Sequence, residues 1–280
     1  MTAVAGPSTR SSVRRVFDVA GAFLWMGWLT TSAYPLSFLM TQIATLVPAF
    51  IYYFVAELVG PRVQDVGTDY YTFVMLGVLS LRMLSGGLTG LSEELEETIT
   101  EGRLEALLVQ PVRWRLLPFG LVQWPIVWRL GNAVLLILLT ALLGARYDLS
   151  GALPALLVVA LGLGASTGVG ILAAAVKLLA RRTEPVITLY VIAVTVLSGV
   201  FYPVSSLPAP VQVISYLLPD TYVIAALRKL LMPGGESLPG PGTGTVIVGL
   251  LAFNLMIYPL ALWLFGRSLA YGRRMGLLGG

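Results

Sequence analysis

The stretch ALPALLVVALGLGASTGVGILAAAV, residues 152–176, contains no charged side chain and decides the class of fold. An α-helix rises 1.5 Å per residue, so about 20 apolar residues cross a hydrocarbon core of about 30 Å. This stretch exceeds that length, which the core helices of soluble domains rarely need. It therefore predicts a membrane-spanning helix.

Five other stretches have a similar length and apolar character. The six predicted spans are Ala33 to Leu58, Tyr70 to Leu91, Leu117 to Ala145, Ala152 to Val176, Val186 to Val204 and Thr245 to Phe265. Because the gaps between the spans are short, residues 1–280 are predicted to form a single all-α polytopic membrane domain.

The composition excludes most classes of soluble protein. Of 280 residues, 57% are hydrophobic and 11% are charged, whereas soluble domains are about 45–50% apolar. The net charge of +4 comes from residues between the apolar runs, which is not the basic face that nucleic-acid binding requires. The sequence has no Cys and no His, which removes disulfides and the usual zinc, haem and Ser-His or Cys-His sites. Neither Lys177 nor Lys229 follows a glycine, so no Walker A motif is present.

The basic residues also predict the orientation, because cytoplasmic loops carry an excess of Lys and Arg. With the N-terminus inside, the cytoplasmic set is Arg10, Arg14, Arg15, Arg103, Arg113, Arg115, Lys177, Arg181, Arg182, Arg267, Arg273 and Arg274. The outer set is only Arg62, Arg146, Arg228 and Lys229. Both termini are therefore predicted to be cytoplasmic.

Residues 11–30 form an amphipathic pattern before the first span. Apolar side chains recur at helical spacing at Val13, Val16, Phe17, Ala20, Leu24 and Trp28, while Arg14, Arg15 and Asp18 take the other side. Such a pattern predicts an interfacial helix in the plane of the headgroups. The alternative is a signal peptide cleaved at Thr31-Ser32-Ala33, but its apolar stretch would not be amphipathic.

The cytoplasmic segment 92–112 holds a large share of the 14 acidic residues. It contains Glu93, Glu94, Glu96, Glu97, Glu101 and Glu105. Two short apolar edges that end before Pro111 predict two short helices parallel to the membrane. On a continuous helix Glu97, Glu101 and Glu105 would repel each other, and a basic partner surface would relieve that repulsion. The alternative is a solvated helix face balanced by nearby arginines.

The run EGRLEALLVQPV, residues 101–112, resembles the coupling-helix segment of ABC-2 type permeases, the membrane subunits of one branch of ATP-binding-cassette exporters. The positions that match the family's pattern are Glu101, Gly102, Leu104, Glu105, Leu107, Leu108 and Pro111. Arg103 departs from it, since Thr is usual there. The resemblance extends over nearly the whole chain.

This resemblance implies a division of labour between chains. The permease would bind no cofactor, while ATP and Mg would be bound by a cytoplasmic ATPase subunit present in two copies. The segment from Glu97 to Pro111, including Arg103, would contact that ATPase and transmit its conformational change to the permease. Substrate would pass between this chain and a second permease chain, identical or homologous, in a bacterial cytoplasmic membrane.

Residues 201–232 are predicted to form two short apolar helices that dip back into the outer leaflet. Prolines fit the helix starts and stops, and Asp220 is predicted to cap the second helix. In ABC-2 type permeases a similar Pro-rich pair closes the outer side of the path, which implies a gate. The implied gate residues are Phe201, Tyr202, Pro203, Pro219 and Asp220. A loop lying over the headgroups is the alternative.

Two arginines fall inside predicted spans. Arg82 lies near the middle of the second span, where it should face protein or water. It either attracts an anionic substrate group or lipid phosphate, or it links helices by hydrogen bonds. Arg129 follows Trp124 and Trp128 and is predicted to reach the cytoplasmic headgroups.

Two Gly-xxx-Gly motifs, Gly86 to Gly90 and Gly164 to Gly168, predict close helix packing, within the chain or across a dimer. The Ser in the second motif is not a nucleophile elbow, because the sequence has no His to act as base.

The function predicted from these features is ATP-driven export of a drug-like molecule or lipid. A permease for lipid-linked polysaccharide is an alternative. A gradient-driven secondary transporter is another, although the sequence offers no carboxylate relay at mid-membrane. An intramembrane enzyme would require Asp65, Asp69 and Asp148 to converge at the outer surface.

Overall fold

The computed structural model describes residues 12–59, 69–100, 117–180, 184–238 and 240–274. All the regular structure in these ranges is helical, as predicted. The α-helices are α1 (Ser12–Ala33), α2 (Pro35–Val59), α3 (Tyr70–Thr100), α4 (Leu117–Leu142), α5 (Ala152–Ala180), α6 (Glu184–Leu197), α7 (Ala209–Ser215), α8 (Pro219–Leu231) and α9 (Thr243–Arg274). Short 3₁₀ turns occur at Leu149–Gly151, Val204–Ser206 and Gly235–Ser237.

Five of the described helices, namely α2, α3, α4, α5 and α9, are long and apolar enough to cross a membrane. The pair formed by α7 and α8 is bent by 89° and would add a sixth crossing only if both helices belonged to one broken span. The fold class is therefore confirmed as an all-α polytopic membrane protein.

The predicted fifth span, Val186 to Val204, is longer than the helix that the structure contains. Helix α6 ends at Leu197, and the chain leaves the helix through Gly199, which has a φ of 77°. That left-handed conformation suits glycine and ends the helix before Pro203. The apolar residues up to Val204 belong to a turn rather than to the span.

The acidic segment also differs from its prediction. Helix α3 continues without a break from Tyr70 to Thr100, so the first of the two short helices expected after Leu91 is instead the end of the second span. No proline or glycine interrupts residues 91–100, which is why the helix can continue.

The end of α4 is set by a hydrogen-bonded motif rather than by the end of the apolar run. Gly144 has a φ of 104°, its N–H donates to the Ala141 carbonyl at 3.2 Å, and the N–H of Ala145 donates to the Thr140 carbonyl at 2.9 Å. This is a Schellman motif, which satisfies the last carbonyls of the helix.

Helices α3 and α5 form the centre of the bundle and cross where glycines remove the side chains. A Cβ added to Gly170 on α5 would overlap the backbone carbonyl of Gly87 on α3, and one added to Gly87 would lie 2.7 Å from Thr167 Oγ1. Close approach of this kind gives the dispersion contacts on which helix association in lipid depends.

Both Gly-xxx-Gly motifs pack within the chain. Gly86 lies against the side chain of Arg129, and Gly90 against Pro125, so this motif joins α3 to α4. In the second motif, Gly164 lies against Asn254 and Gly168 against Ile257, which joins α5 to α9. The glycines that sequence analysis could assign either to one chain or to a dimer therefore hold this chain together.

The second half of α1 packs along the start of α4. The ring of Phe23 lies over Gly120, Trp124 lies over Gly27, and Trp124 Nε1 donates a hydrogen bond of 2.9 Å to Thr31 Oγ1. Trp28 adds an edge-on contact, with its ring 6.2 Å from that of Trp124. These contacts fix α1 to the bundle beside the acidic end of α3.

Candidate functional site

The predicted coupling segment is only partly within the described residues. Glu97 lies on the last turns of α3 with an exposed side chain. It borders a cleft of about 140 Å³ that is also lined by Met26 and Thr30 of α1 and by Leu121 of α4. The other predicted coupling residues, Glu101, Gly102, Arg103, Leu104, Glu105 and Pro111, lie outside the described residues. The structure thus places the start of the segment at the junction of α1, α3 and α4.

Arg129, which is predicted to reach the cytoplasmic headgroups, contacts protein groups on α3. Its guanidinium group donates to Ser85 Oγ at 2.7 Å and to Thr89 Oγ1 at 3.2 Å, and it forms an ion pair of 3.2 Å with Glu93. These three partners follow one another along one face of α3, at i, i+4 and i+8. Arg129 therefore links α4 to α3, and its contact with headgroups stays a prediction.

Arg82 lines a cleft between α2, α3 and α4 with a volume of about 210 Å³. The other walls include Thr41 and Thr45 from α2 and Arg129 and Asn132 from α4. Arg82 thus faces a cleft, and its contact with an anionic group stays a prediction. The role of helix link belongs to Arg129.

The predicted gate residues lie along the outer segment but face different neighbours. Phe201 stacks on Tyr52 of α2 with ring centroids 5.5 Å apart, and the hydroxyl of Tyr202 donates to the carbonyl of Val196. Pro203 begins the 3₁₀ turn, and Pro219 occupies the start of α8. None of these residues lines the cleft that contains Arg82.

The prediction that Asp220 caps α8 is wrong. The N-cap position belongs to Leu218, and Asp220 lies in the first turn with a buried side chain. Its carboxylate accepts a hydrogen bond of 3.2 Å from the hydroxyl of Tyr190 on α6. The helix starts two residues earlier than predicted, at Pro219, because proline is favoured at the first helical position. Asp220 thus joins α8 to α6.

Arg228 is the residue whose role the sequence did not reveal. In the sequence it counted only as one of the outer basic residues, yet its side chain is buried at 5% exposure. Its guanidinium group donates to the carbonyls of Phe73 at 3.1 Å, Gly199 at 2.7 Å and Val200 at 2.6 Å. The same group lies 3.4 Å from the ring centroid of Phe73. We refer to this arrangement as the Arg228 clamp.

The Arg228 clamp joins three parts of the fold at one point. It fixes α8 to α3 through Phe73, and it fixes both to the turn that follows α6. On α3, a Cβ at Gly77 would overlap the Val200 carbonyl and lie 2.6 Å from an Arg228 nitrogen. The absence of a side chain at Gly77 is therefore what allows the turn and the guanidinium group to approach α3.

The aspartates that an intramembrane enzyme would need have structural partners. Asp69 accepts hydrogen bonds from the Thr72 hydroxyl at 2.9 Å and the Tyr71 N–H at 3.3 Å, at the start of α3. Asp148 caps the 3₁₀ turn through Ser150, and the hydrogen bonds from Ser150 lower the pKa of its carboxyl group. Asp65 lies outside the described residues. The two described aspartates thus have helix-capping roles.

Comparison with known protein families identifies the chain. A family model for the ABC-2 type transporter matches residues 20–232, from within α1 to the residue after α8. A comparison with curated proteins found no match. Members of this family work with an ATP-binding-cassette ATPase, and the sequence contains no Walker A motif of its own. Because the match covers well over half of the chain, the protein belongs to the ABC-2 type transporter family and is a multi-pass membrane permease subunit of an ABC transporter.

Proposed function

We propose that this permease belongs to an exporter that moves a hydrophobic or amphipathic molecule, drug-like or lipid, out across a bacterial cytoplasmic membrane. The observation that carries the proposal is the family match over residues 20–232. The resemblance of residues 101–112 to the coupling helix of exporters in that family supports the outward direction. Both termini would be cytoplasmic, in agreement with the distribution of arginines along the chain.

The working assembly would contain two ATPase chains and two permease chains, either identical or homologous. Closed two-fold symmetry is the common arrangement for such assemblies. ATP and Mg would be held by the ATPase chains. The conformational change of the ATPase chains would be transmitted to the permease through the coupling residues Glu97, Glu101, Gly102, Arg103, Leu104, Glu105 and Pro111. The location of Glu97 beside α1 and α4 supports this proposal, because a push there would reach three helices at once.

The outer segment would act as the gate of the translocation path, through Phe201, Tyr202, Pro203, Pro219 and Asp220. The 89° bend between α7 and α8 supports a re-entrant segment, since irregular backbone is tolerated at membrane depth where protein covers it. The Arg228 clamp and the bond between Tyr190 and Asp220 would set its closed position. Arg82 would lie along the path, nearer the cytoplasmic side than the gate.

The alternatives differ in energy source and cargo. A gradient-driven transporter would need ionisable groups in mid-membrane, and the described carboxylates of the five spanning helices lie in terminal turns, at Glu57 of α2 and on the last turns of α3. A permease for lipid-linked polysaccharide would share the same fold and ATPase, so only the cargo distinguishes it.

Transport into inside-out membrane vesicles tests the direction and the cargo. We expect ATP to drive accumulation of a hydrophobic dye or of a fluorescent short-chain phospholipid inside vesicles that contain the permease and its ATPase. Vesicles without the permease, and vesicles given a non-hydrolysable ATP analogue, should accumulate neither probe. Accumulation that requires an ion gradient and not ATP would contradict the proposal, as would ATP-driven movement in the opposite direction.

A further inference from the structure

The cleft beside Arg82 is unusually polar for the middle of a membrane bundle. Arg82 is 12 residues from each end of the predicted span Tyr70–Glu94, which places it about 18 Å from either end at 1.5 Å per residue. The cleft also presents Asn132, Thr41 and Thr45. The Asn132 amide supplies hydrogen-bond donors, whereas the hydroxyls of Thr41 and Thr45 donate to the carbonyls of Ser37 and Thr41 and present only acceptors.

The charges that line the cleft are both positive. Arg82 and Arg129 contribute the ionisable groups, and no carboxylate is among the lining residues. Arg129 is engaged with Ser85, Thr89 and Glu93. Within the described part of the chain, by contrast, the guanidinium group of Arg82 makes no hydrogen bond or ion pair. An arginine at mid-membrane is costly to insert, and a bound anion would offset that cost.

The shape of the cleft limits what can enter it. Thr45 and Leu136 are buried at its floor, whereas Thr41 is exposed and Arg82 half-buried at its rim. The cleft is therefore open on one side. Its volume of about 210 Å³ falls below the 300–1,000 Å³ of sites that enclose a drug-sized ligand. It can hold a headgroup, but not the apolar part of the same molecule.

An apolar surface lies next to the opening and could carry that remaining part. On α2, Phe38 lies one turn before Thr41 of the cleft and is exposed at 37%. Phe38 of α2 contacts Trp128 of the cleft edge-on at 5.2 Å. A molecule with an anionic head and an apolar tail would fit both surfaces at once.

We propose that this cleft binds the oxyanionic headgroup of an amphipathic molecule, with Arg82 as the group that contacts the anion. The planar guanidinium group suits phosphate and carboxylate, because its parallel N–H groups pair with two oxygens. Arg129 adds positive potential from a position that α3 fixes, and Asn132 supplies a neutral donor. The further step, that this molecule is the exported cargo, rests on the proposed function.

Binding to the purified permease in an uncharged detergent tests the site without any ATPase. Three probes are compared: dioctanoyl phosphatidic acid, dioctanoylglycerol, which has the same tails without the phosphate, and inorganic phosphate. We expect phosphatidic acid to bind at least about tenfold more tightly than either of the others. In Arg82→Gln that preference should fall about tenfold or more, as for other hydrogen bonds to charged groups.

Two further variants make the result specific. Arg82→Lys keeps the positive charge but loses the parallel N–H groups of the guanidinium group, so it should bind the anion with intermediate affinity. Arg146→Gln removes an exposed arginine outside the cleft and should bind like the unmodified protein. Elution of all three variants at the same volume in size-exclusion chromatography shows that folding is retained.

The outcomes separate the site from the function. Equal affinity for phosphatidic acid and dioctanoylglycerol, or unchanged binding in Arg82→Gln, would overturn the proposal. Inorganic phosphate that binds as tightly as phosphatidic acid would overturn its amphipathic part. If the site binds the anion but ATP drives no export, the binding site stands and the proposed function fails. If ATP-driven export of the fluorescent phospholipid is unaffected in Arg82→Gln, the site holds a resident membrane lipid and the cargo step is wrong.

Discussion

Arg228→Met is expected to destabilise the permease by about 3 kcal/mol or more, which is a large effect for one substitution. Methionine fills much of the same volume but donates nothing to the carbonyls of Phe73, Gly199 and Val200. The Phe73 carbonyl keeps its bond within α3, but the carbonyls of Gly199 and Val200 lose their donor, and each such loss costs about 1–3 kcal/mol. Burying the guanidinium group is itself costly, and relief of that cost is the reason why the expected loss is smaller than the sum of three bonds.

Thermal unfolding in detergent measures this loss. In a chain of this length, a loss of 1 kcal/mol lowers the unfolding temperature by about 2–4 °C. The midpoint of thermal unfolding should therefore fall by roughly 6–12 °C. The neighbouring Lys229→Met is the matched control, because Lys229 donates to the carbonyls of Gly240 and Pro241 at a more exposed site. It should change stability by less than about 1 kcal/mol. Equal midpoints for the two variants would show that the Arg228 clamp does not hold the outer segment.

A glycine pair tests the same region from α3. Gly77→Ala would push against the Val200 carbonyl and the Arg228 guanidinium group, whereas Gly131→Ala on α4 places its methyl group where no atom lies within 4 Å. Alanine is otherwise the better helix residue by about 1 kcal/mol. Gly77→Ala should therefore destabilise the protein, and Gly131→Ala should not.

Reversal of charge at Glu101 and Glu105 is expected to abolish transport while leaving the chain folded and inserted. If the coupling segment docks on a basic surface of the ATPase, two lysines would place like charges against it. Like-charge contact across an interface costs several kcal/mol, so transport should fall by at least about tenfold. Nucleotide hydrolysis by the ATPase should continue, because its active site lies on the other chain.

To test this prediction, vesicle transport and ATP hydrolysis are measured on the same preparation, for the double variant and for a control variant. Glu236→Lys, in the 3₁₀ turn after α8, reverses an exposed charge far along the chain from the coupling segment and should leave both activities unchanged. If Glu101→Lys with Glu105→Lys transports at the normal rate, the segment does not transmit the conformational change of the ATPase, whatever the fold of the bundle.

The spans were predictable because lipid allows few ways to cross it. A helix must satisfy its own backbone and match the thickness of the hydrocarbon, so length and apolarity alone located α2 to α5 and α9. The ends of the helices depend on local backbone geometry, which cannot be read from the apolar character of the sequence. The Schellman motif at Gly144 and the left-handed Gly199 ended two helices inside apolar runs.

The polar contacts inside the bundle were much less predictable. Arg129 and Arg82 look similar in sequence, and their roles depend on whether Ser85, Thr89 and Glu93 face them. The Arg228 clamp joins residues that are 155, 29 and 28 positions apart. Its acceptors are backbone carbonyls, which leave no mark in the sequence. One signal was present, an arginine in a short helix with many apolar residues, since a charge among apolar groups needs partners.

The same reasoning applies to the glycines. Their spacing predicted close helix packing, and the structure assigned the partners: Pro125 for Gly90 and Ile257 for Gly168. Sequence alone could not distinguish these contacts from contacts across a dimer. A glycine indicates that another helix can approach closely, but it does not indicate which helix.

Purification of the tagged permease from its native host in mild detergent, with identification of the proteins that accompany it, tests the central claim most directly. We expect a stoichiometric ATP-binding chain with Walker A and Walker B motifs, and nucleotide hydrolysis in the eluate. A folded permease that carries no ATP-binding chain and hydrolyses no nucleotide would contradict the claim that an ATPase drives it.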